Sequence, residues 1–188
     1  MCIRDSNWPI KFIGENPNQY RSNTPTALEF EMQVGNARGT TSKSKVDVAV
    51  SDSPTASISD FRRLDEFKSG SLSPARFKAE FIERDLFLLW NDLNFDISRI
   101  RWIWEDAPSS NMKNLIKGFL RDYSDNNQFQ SLFSSTEFYE LFDQINLRFH
   151  NNTGQGYLPV RDAAEFETNF LDNSLRYDNF FDTIFEFH

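Results

Sequence analysis

The stretch ALEFEMQVGNARGTTSKSKVDVAV, residues 27–50, alternates apolar and polar side chains twice. Leu28, Phe30, Met32 and Val34 fall on one side of an extended chain, with Glu29, Glu31 and Gln33 on the other. Val46, Val48 and Val50 repeat the pattern after Lys43 and Lys45. Between the runs, Asn36-Ala37-Arg38-Gly39 predicts a four-residue turn in which Gly39 supplies positive φ. The spacing predicts a β-hairpin with one wet and one apolar face, and the apolar face must cover something.

Outward from the hairpin, composition changes. Residues 7–53 are rich in Thr, Ser, Asn, Gly and Val, and Ser51–Ser57 (SDSPTAS), with Pro54 and small polar residues, reads as a linker over 54–58. From there to residue 188 the chain is rich in Phe, Leu, Asp and Glu at helical spacing. Phe61, Leu64 and Phe67 lie three apart before Gly70, which predicts a short helix with a glycine cap. Ser73-Pro74 predicts an N-cap with proline at the first helical position, followed by a buried stripe of Phe77, Phe81, Ile82, Leu86, Leu89 and Leu93. Leu115, Ile116, Phe119, Leu120 and Tyr123 form a second stripe behind Ser109 and Ser110. Ser134 with Glu137 predicts a capping box before Phe138, Leu141, Phe142 and Ile145, and Asp162 with Glu165 a looser one before Phe166 and Phe170. Phe180, Phe181, Ile184 and Phe185 predict a last helix. The fold class expected is α+β: an N-terminal β-hairpin region, part of a β-sandwich, over 7–53, then a Phe-rich, mostly α-helical domain over 59–188.

Twenty phenylalanines in 188 residues predict a core built from aromatic rings. The formal net charge of −8, with no basic stripe interleaved by aromatics, disfavours nucleic-acid binding. No apolar run approaches the roughly 18 residues that span a bilayer, so no membrane insertion is expected.

Three local resemblances add to this. Met1–Ser6 (MCIRDS) resembles a translated transposase mosaic-end sequencing adapter, which implies that Cys2, the only cysteine, has no functional meaning and that chain is missing upstream. Residues 28–52, with the L-x-F-x-x-x-V strand, the N-x-x-G turn and Val50-Ser51-Asp52, resemble the last strands of bacterial Ig-like or cadherin-like domains. That likeness implies an extracellular or cell-surface setting and a sandwich of which only part is present. Residues 61–90, with SSTEFYELF further on, are similar to the helix-loop-helix repeats of phycobilisome linkers, although the Leu-Gly-Arg stretch of those repeats is absent.

Chemistry is sparse at this level. His150 and His188 have no local partner at metal-ligand or triad spacing, and Gly154-Gln155-Gly156 lies in a polar loop without the flanking strand and helix of a phosphate site. The carboxylates of Asp122, Asp125, Glu137 and Glu140 read as solvated helix faces. In DYSDNN an EF-hand would need Gly and Glu where Asn127 and Phe133 stand. Asn151-Asn152-Thr153 is a glycosylation sequon, meaningful only in a eukaryotic secretory protein. The most distinctive segment is Ser98–Asp106 (SRIRWIWED), where Arg99 and Arg101 interleave with Trp102 and Trp104. If extended, it places the tryptophans on one face and the arginines on the other; if helical, the two tryptophans separate by about 200°; these four residues are the candidate binding surface. No catalytic residue, metal site or cofactor is expected. The functional expectation is a non-enzymatic binding or structural module of a larger surface-exposed or secreted protein, engaging a protein partner or self-assembling. A phage virion or tail structural protein, or a fragment of an enzyme with its active site upstream, are the alternatives.

Overall fold

Alternating residues do produce the hairpin: strands β1 (Ala27–Asn36) and β2 (Lys43–Ser51) pair antiparallel, with Leu28 opposite Val50 and Phe30 opposite Val48. The computed structural model describes residues 8–20, 27–36, 43–52, 61–105, 111–125 and 134–188. Met1–Ser6, the turn residues 37–39, the linker 54–58 and the expected cap at Ser109 and Ser110 lie outside the described residues. Of the hairpin's expected apolar face on β1, only the Leu28 side chain is described, and it packs in a core.

The hairpin is one end of a five-stranded sheet in the order β1-β2-β3-β4-β5. Strand β3 (Arg63–Lys68) pairs antiparallel with β2, while β4 (Ile100–Trp104) and β5 (Phe185–Phe187) add in parallel. The protein is thus mixed α+β, with helices dominating after residue 74. The helix expected over 61–67 is strand β3 instead. Spacing by three misleads here because the strand is buried on both faces, so apolar residues need not alternate with polar ones. Leu64 enters one core and Phe67 the other. Gly70, at φ 74°, turns the chain after a strand rather than capping a helix.

Two helices lie on one face of the sheet. From α1 (Trp8–Glu15) and α2 (Pro17–Tyr20), Phe12 and Tyr20 pack on Val48, Val50, Phe67 and Ile103. The other helices of the described residues gather on the opposite face around Leu64, Ile100, Trp102 and Trp104. The crossover from β3 to β4 is helix α3, residues 74–91, capped by Ser73 with Pro74 in the first turn as the sequence predicts. Its central part, Phe77–Leu86, is π-helical, and the expected stripe from Phe77 to Leu93 is buried. Helix α4 (Met112–Asp125) follows β4, and α5 (Ser135–Thr153) begins with the predicted capping box. Helix α6, residues 163–171, is capped by Asp162, and α7 (Ser174–Ile184) by Asn173. The last helix ends one residue earlier than expected, because Phe185 opens β5. The phenylalanines do form the core: Phe142 contacts the rings of Phe138, Phe166, Phe170 and Phe180 at centroid distances of 4.6–5.8 Å.

Candidate functional site

Strand β3 alternates charged side chains into both layers, and the two sides differ in chemistry. Asp65, fully buried toward α1 and α2, accepts hydrogen bonds from Tyr20 at 2.8 Å, from Arg63 at 2.7 Å and from Arg101 at 2.9 Å. Arg101 in turn reaches Glu186 of β5 at 2.7 Å. This network joins a helix and three strands, and every charge in it is compensated.

On the other face Glu66 and Lys68 point together toward α3, because residues two apart on a strand share a side. Both are almost completely buried. The Lys68 ammonium donates to Glu66 at 2.6 Å and to Glu80 at 2.7 Å, and sits 4.4 Å over the ring of Trp102. Burial alone would lower the Lys68 pKa, but Glu66 and Glu80 more than offset it, so the amine is held protonated above its ordinary value. Glu80 also pairs with Arg76 at 3.1 Å. Arg84 lies 3.0 Å from Glu66 Oε1 and pairs with Asp85, whose carboxylate accepts the Trp102 indole N–H at 2.6 Å.

Asp47 brings the third strand to this cluster. The β2–β3 ladder runs only from Val50↔Arg63 to Val48↔Asp65. Two residues past Asp65, the Phe67 N–H donates to the Asp47 carboxylate at 2.8 Å. The strands part there: Val48 and Val50 belong to one core, whereas Val46 joins the other, so strict alternation along β2 breaks at Asp47. Burial, and then the neighbouring Glu66 charge, push the Asp47 carboxyl up to about 6. A carboxylate inserted between parting strands, beside a buried acid and a buried lysine, is a costly arrangement that packing alone does not require.

The π-helical stretch of α3 makes the cluster possible. Closing hydrogen bonds five residues back widens the turn, and Glu80, Arg84 and Asp85 face the sheet while Phe77, Phe81 and Ile82 still enter the core. Asp47, Glu80 and Arg76 are partly exposed and form the solvent side of the cluster. Glu66 Oε1 accepts no aligned hydrogen bond among the described residues. Four carboxyl groups, Asp47, Glu66, Glu80 and Asp85, therefore share three cations, Lys68, Arg76 and Arg84.

The residues expected to form a binding surface are placed differently. Trp102 and Trp104 are fully buried, on the helix-covered face of β4. Arg101 projects to the opposite face as the alternation predicts, and Arg99 donates to the Phe61 carbonyl at 2.9 Å. Trp102 does reach the candidate site, but as its floor, beneath Lys68. His150 lies at the end of α5 with Nδ1 near the Gln155 carbonyl, and His188 pairs with Glu186 at 2.8 Å. No group of three or more His, Cys, Asp or Glu side chains suited to a metal occurs among the described residues. The same residues contain no helix long and apolar enough to cross a membrane.

Asp47, Glu66 and Lys68 were missed in the sequence because 61–67 reads as a helix, which scatters Glu66 and Lys68 by about 200°. The signal that finds them is an acid two residues before a lysine on one strand, with a second acid on the preceding strand just beyond the last paired residue. Comparison with protein-family models, curated proteins and solved structures finds no match, so the geometry alone supports a functional reading.

Proposed function

We infer that the Asp47–Glu66–Lys68 cluster is the active site of a hydrolase that cleaves phosphodiester bonds of nucleic acid with the help of a divalent cation. The observation behind this reading is the parting of β2 and β3 at Asp47, which sets two carboxylates and one protonated lysine at the same place on one sheet face. Magnesium binds through one or two carboxylates and keeps its remaining positions for water and phosphate oxygens, so two acids are enough. Asp47 and Glu66 would hold the cation, which supplies Lewis-acid stabilisation and an acidified water. Lys68, kept protonated by its neighbours, is a fixed positive charge for a phosphoryl oxygen and not a base. Arg84, paired with both Glu66 and Asp85, supplies a positive charge beside these acids.

This reading departs from the non-enzymatic module that composition suggests, and from the weak nucleic-acid affinity that a net charge of −8 implies. A local site needs only a few compensated phosphate contacts, and overall charge governs non-specific affinity more than cleavage. Oligonucleotide cleavage measured with magnesium or manganese tests it, alongside calorimetric metal binding. Asp47→Asn, Glu66→Gln and Lys68→Ala are each expected to lower the cleavage rate by about 10²-fold or more. Cation binding is expected to weaken below pH 6, where Asp47 takes up a proton. If neither cation binding nor cleavage is found in the folded protein, the cluster is a structural ion-pair network. The chain then stands as a non-enzymatic binding or structural module.

A further inference from the structure

Where the chain between α3 and β4 meets α5 and α7, the fold leaves a cavity of about 180 Å³. Ile97, Ile145 and Phe149 give it apolar walls, while Arg148, Asn152 and Asn179 bring a charge and two amides to it. Ile145 is buried beneath the space, and Asn152 and Asn179 are exposed at its edge. Pockets for drug-sized ligands measure roughly 300–1,000 Å³, so a space of this size suits a smaller molecule.

Arg148 sets the chemistry. Of the described arginines it is the one that makes no hydrogen bond or ion pair with any described residue. Its own helix offers no partner, because the positions three and four residues away hold Gln144, Ile145, Asn151 and Asn152 rather than acids. A carboxylate does line the same cavity, that of Asp96, yet the two do not pair. Asp96 Oδ1 accepts from the Ser98 amide at 3.1 Å and from the Ser98 hydroxyl at 2.7 Å, and its other oxygen accepts nothing from the described residues. The side-chain amides of Asn152 and Asn179 are likewise unbonded among the described residues. A cation and an anion thus face one small apolar space without satisfying each other.

The backbone is bent to bring Asp96 there. Asn94, at φ 49°, closes the end of α3 in the left-handed conformation common after a helix, with the Phe95 N–H on the Leu89 carbonyl at 2.8 Å. Phe95 follows at φ 59°, where a bulky side chain is strained and no helix end requires it. As a result four successive residues, Phe95–Ser98, line one cavity, whereas an extended chain would turn every second one away. Strain of this kind persists only where the surrounding structure holds it, and it gathers at ligand sites.

We propose that this cavity binds a free α-amino acid with an apolar side chain. The ligand's carboxylate meets the planar guanidinium of Arg148, its ammonium meets the open oxygen of Asp96, and its side chain lies on Ile97, Ile145 and Phe149. A simple anion would face Asp96 and a simple amine would face Arg148, so a molecule with both charges fits where either alone does not. The site has no residue in common with the Asp47–Glu66–Lys68 cluster and needs no metal.

The test uses the whole chain in metal-free buffer, so that its outcome is independent of the cleavage assay. L-Leucine, L-methionine and L-phenylalanine are titrated, with melting temperature and backbone amide NMR shifts as readouts. Saturable stabilisation by at least one of them, with shifts gathered at residues 95–98 and 179–183, is the expected result. The N-acetyl derivative of the tightest binder lacks the cation and its amide lacks the anion, and each is expected to bind about tenfold or more weakly. Arg148→Met and Asp96→Asn are expected to weaken binding to a similar degree. Asp96→Asn keeps an oxygen for the Ser98 amide, so the turn is retained while the charge is lost. Unchanged affinity in both variants would overturn the assigned contacts, and equal binding of either derivative would overturn the zwitterionic class. A response to none of the three amino acids, or shifts located elsewhere, would overturn the site itself without reliance on any variant folding.

Discussion

At the scale of single residues, Asp47 concentrates the cost of the candidate site. Its carboxyl is held at about 6 against an ordinary value of 3.8, so the folded protein binds a proton that the unfolded chain has already released. Stability from this group is therefore greatest at low pH and falls as pH rises through that window. Asp47→Asn keeps an oxygen for the Phe67 amide and presents an amide N–H to Glu66 in place of a like charge. The variant is expected to be more stable than wild type at pH 8 by about 1–2 kcal/mol, allowing for solvent around this half-buried group. The gain should vanish near pH 4, where Asp47 is itself neutral. Urea unfolding at the two pH values measures both, and equal stability of the two proteins at pH 8 would contradict the account. A substitution that stabilises while abolishing cleavage is the behaviour expected of a residue kept for chemistry.

At the scale of elements, local signals that act through the backbone were legible and those that depend on what covers a strand were not. The Ser134 capping box was readable four residues at a time: Ser134 Oγ accepts from the Glu137 amide at 3.2 Å and Glu137 accepts from the Ser134 amide at 2.8 Å. Ser134→Ala should lower stability by about 1 kcal/mol in chemical denaturation, with the m-value unchanged. Ser73-Pro74 and Asp162 were readable for the same reason, as was the pairing of the two alternating runs, though not their register, in which Asn36 ends the strand opposite Lys43. Strand β3 was not, because Leu64 and Phe67 are claimed by cores on opposite sides, and a sequence does not announce that a strand has two. The helix error hid the site as well, since Glu66 and Lys68 become neighbours only in an extended chain. In α3 the apolar stripe was legible, yet the π-helical turns that carry Glu80, Arg84 and Asp85 to the sheet have no comparable sequence mark. Arg101, Trp102 and Trp104 show the same division: the extended reading placed Arg101 opposite the tryptophans, but nothing in it said that both faces would be covered.

At the scale of the whole molecule, aromatic rings provide the continuity between layers. Phe81 touches Trp102, Phe180 and Phe185, linking α3 to β4, α7 and β5. Phe142 of α5 joins α6 and α7 through rings that are themselves buried. Phe142→Ala removes that junction and should lower stability by about 3–5 kcal/mol in equilibrium unfolding. A loss below 1 kcal/mol would mean that the surrounding rings close over the gap. The composition made an aromatic core legible from the outset. It gave no hint that the sheet would divide that core in two, because Phe12 and Phe67 look no different in sequence from Phe77 and Phe81.

Strand β3, with Asp65 in one layer and Glu66 and Lys68 in the other, also determines where the gene can change length. Inserting or deleting one codon among Arg63–Lys68 would exchange the two sets of side chains. Asp65 would be delivered to the layer of the lysine, and Glu66 to the pocket of Arg63, Arg101 and Tyr20. Neither layer could absorb the exchange, since each is closed by charges matched to its own acid. Length variants of this protein should therefore be absent from these six codons.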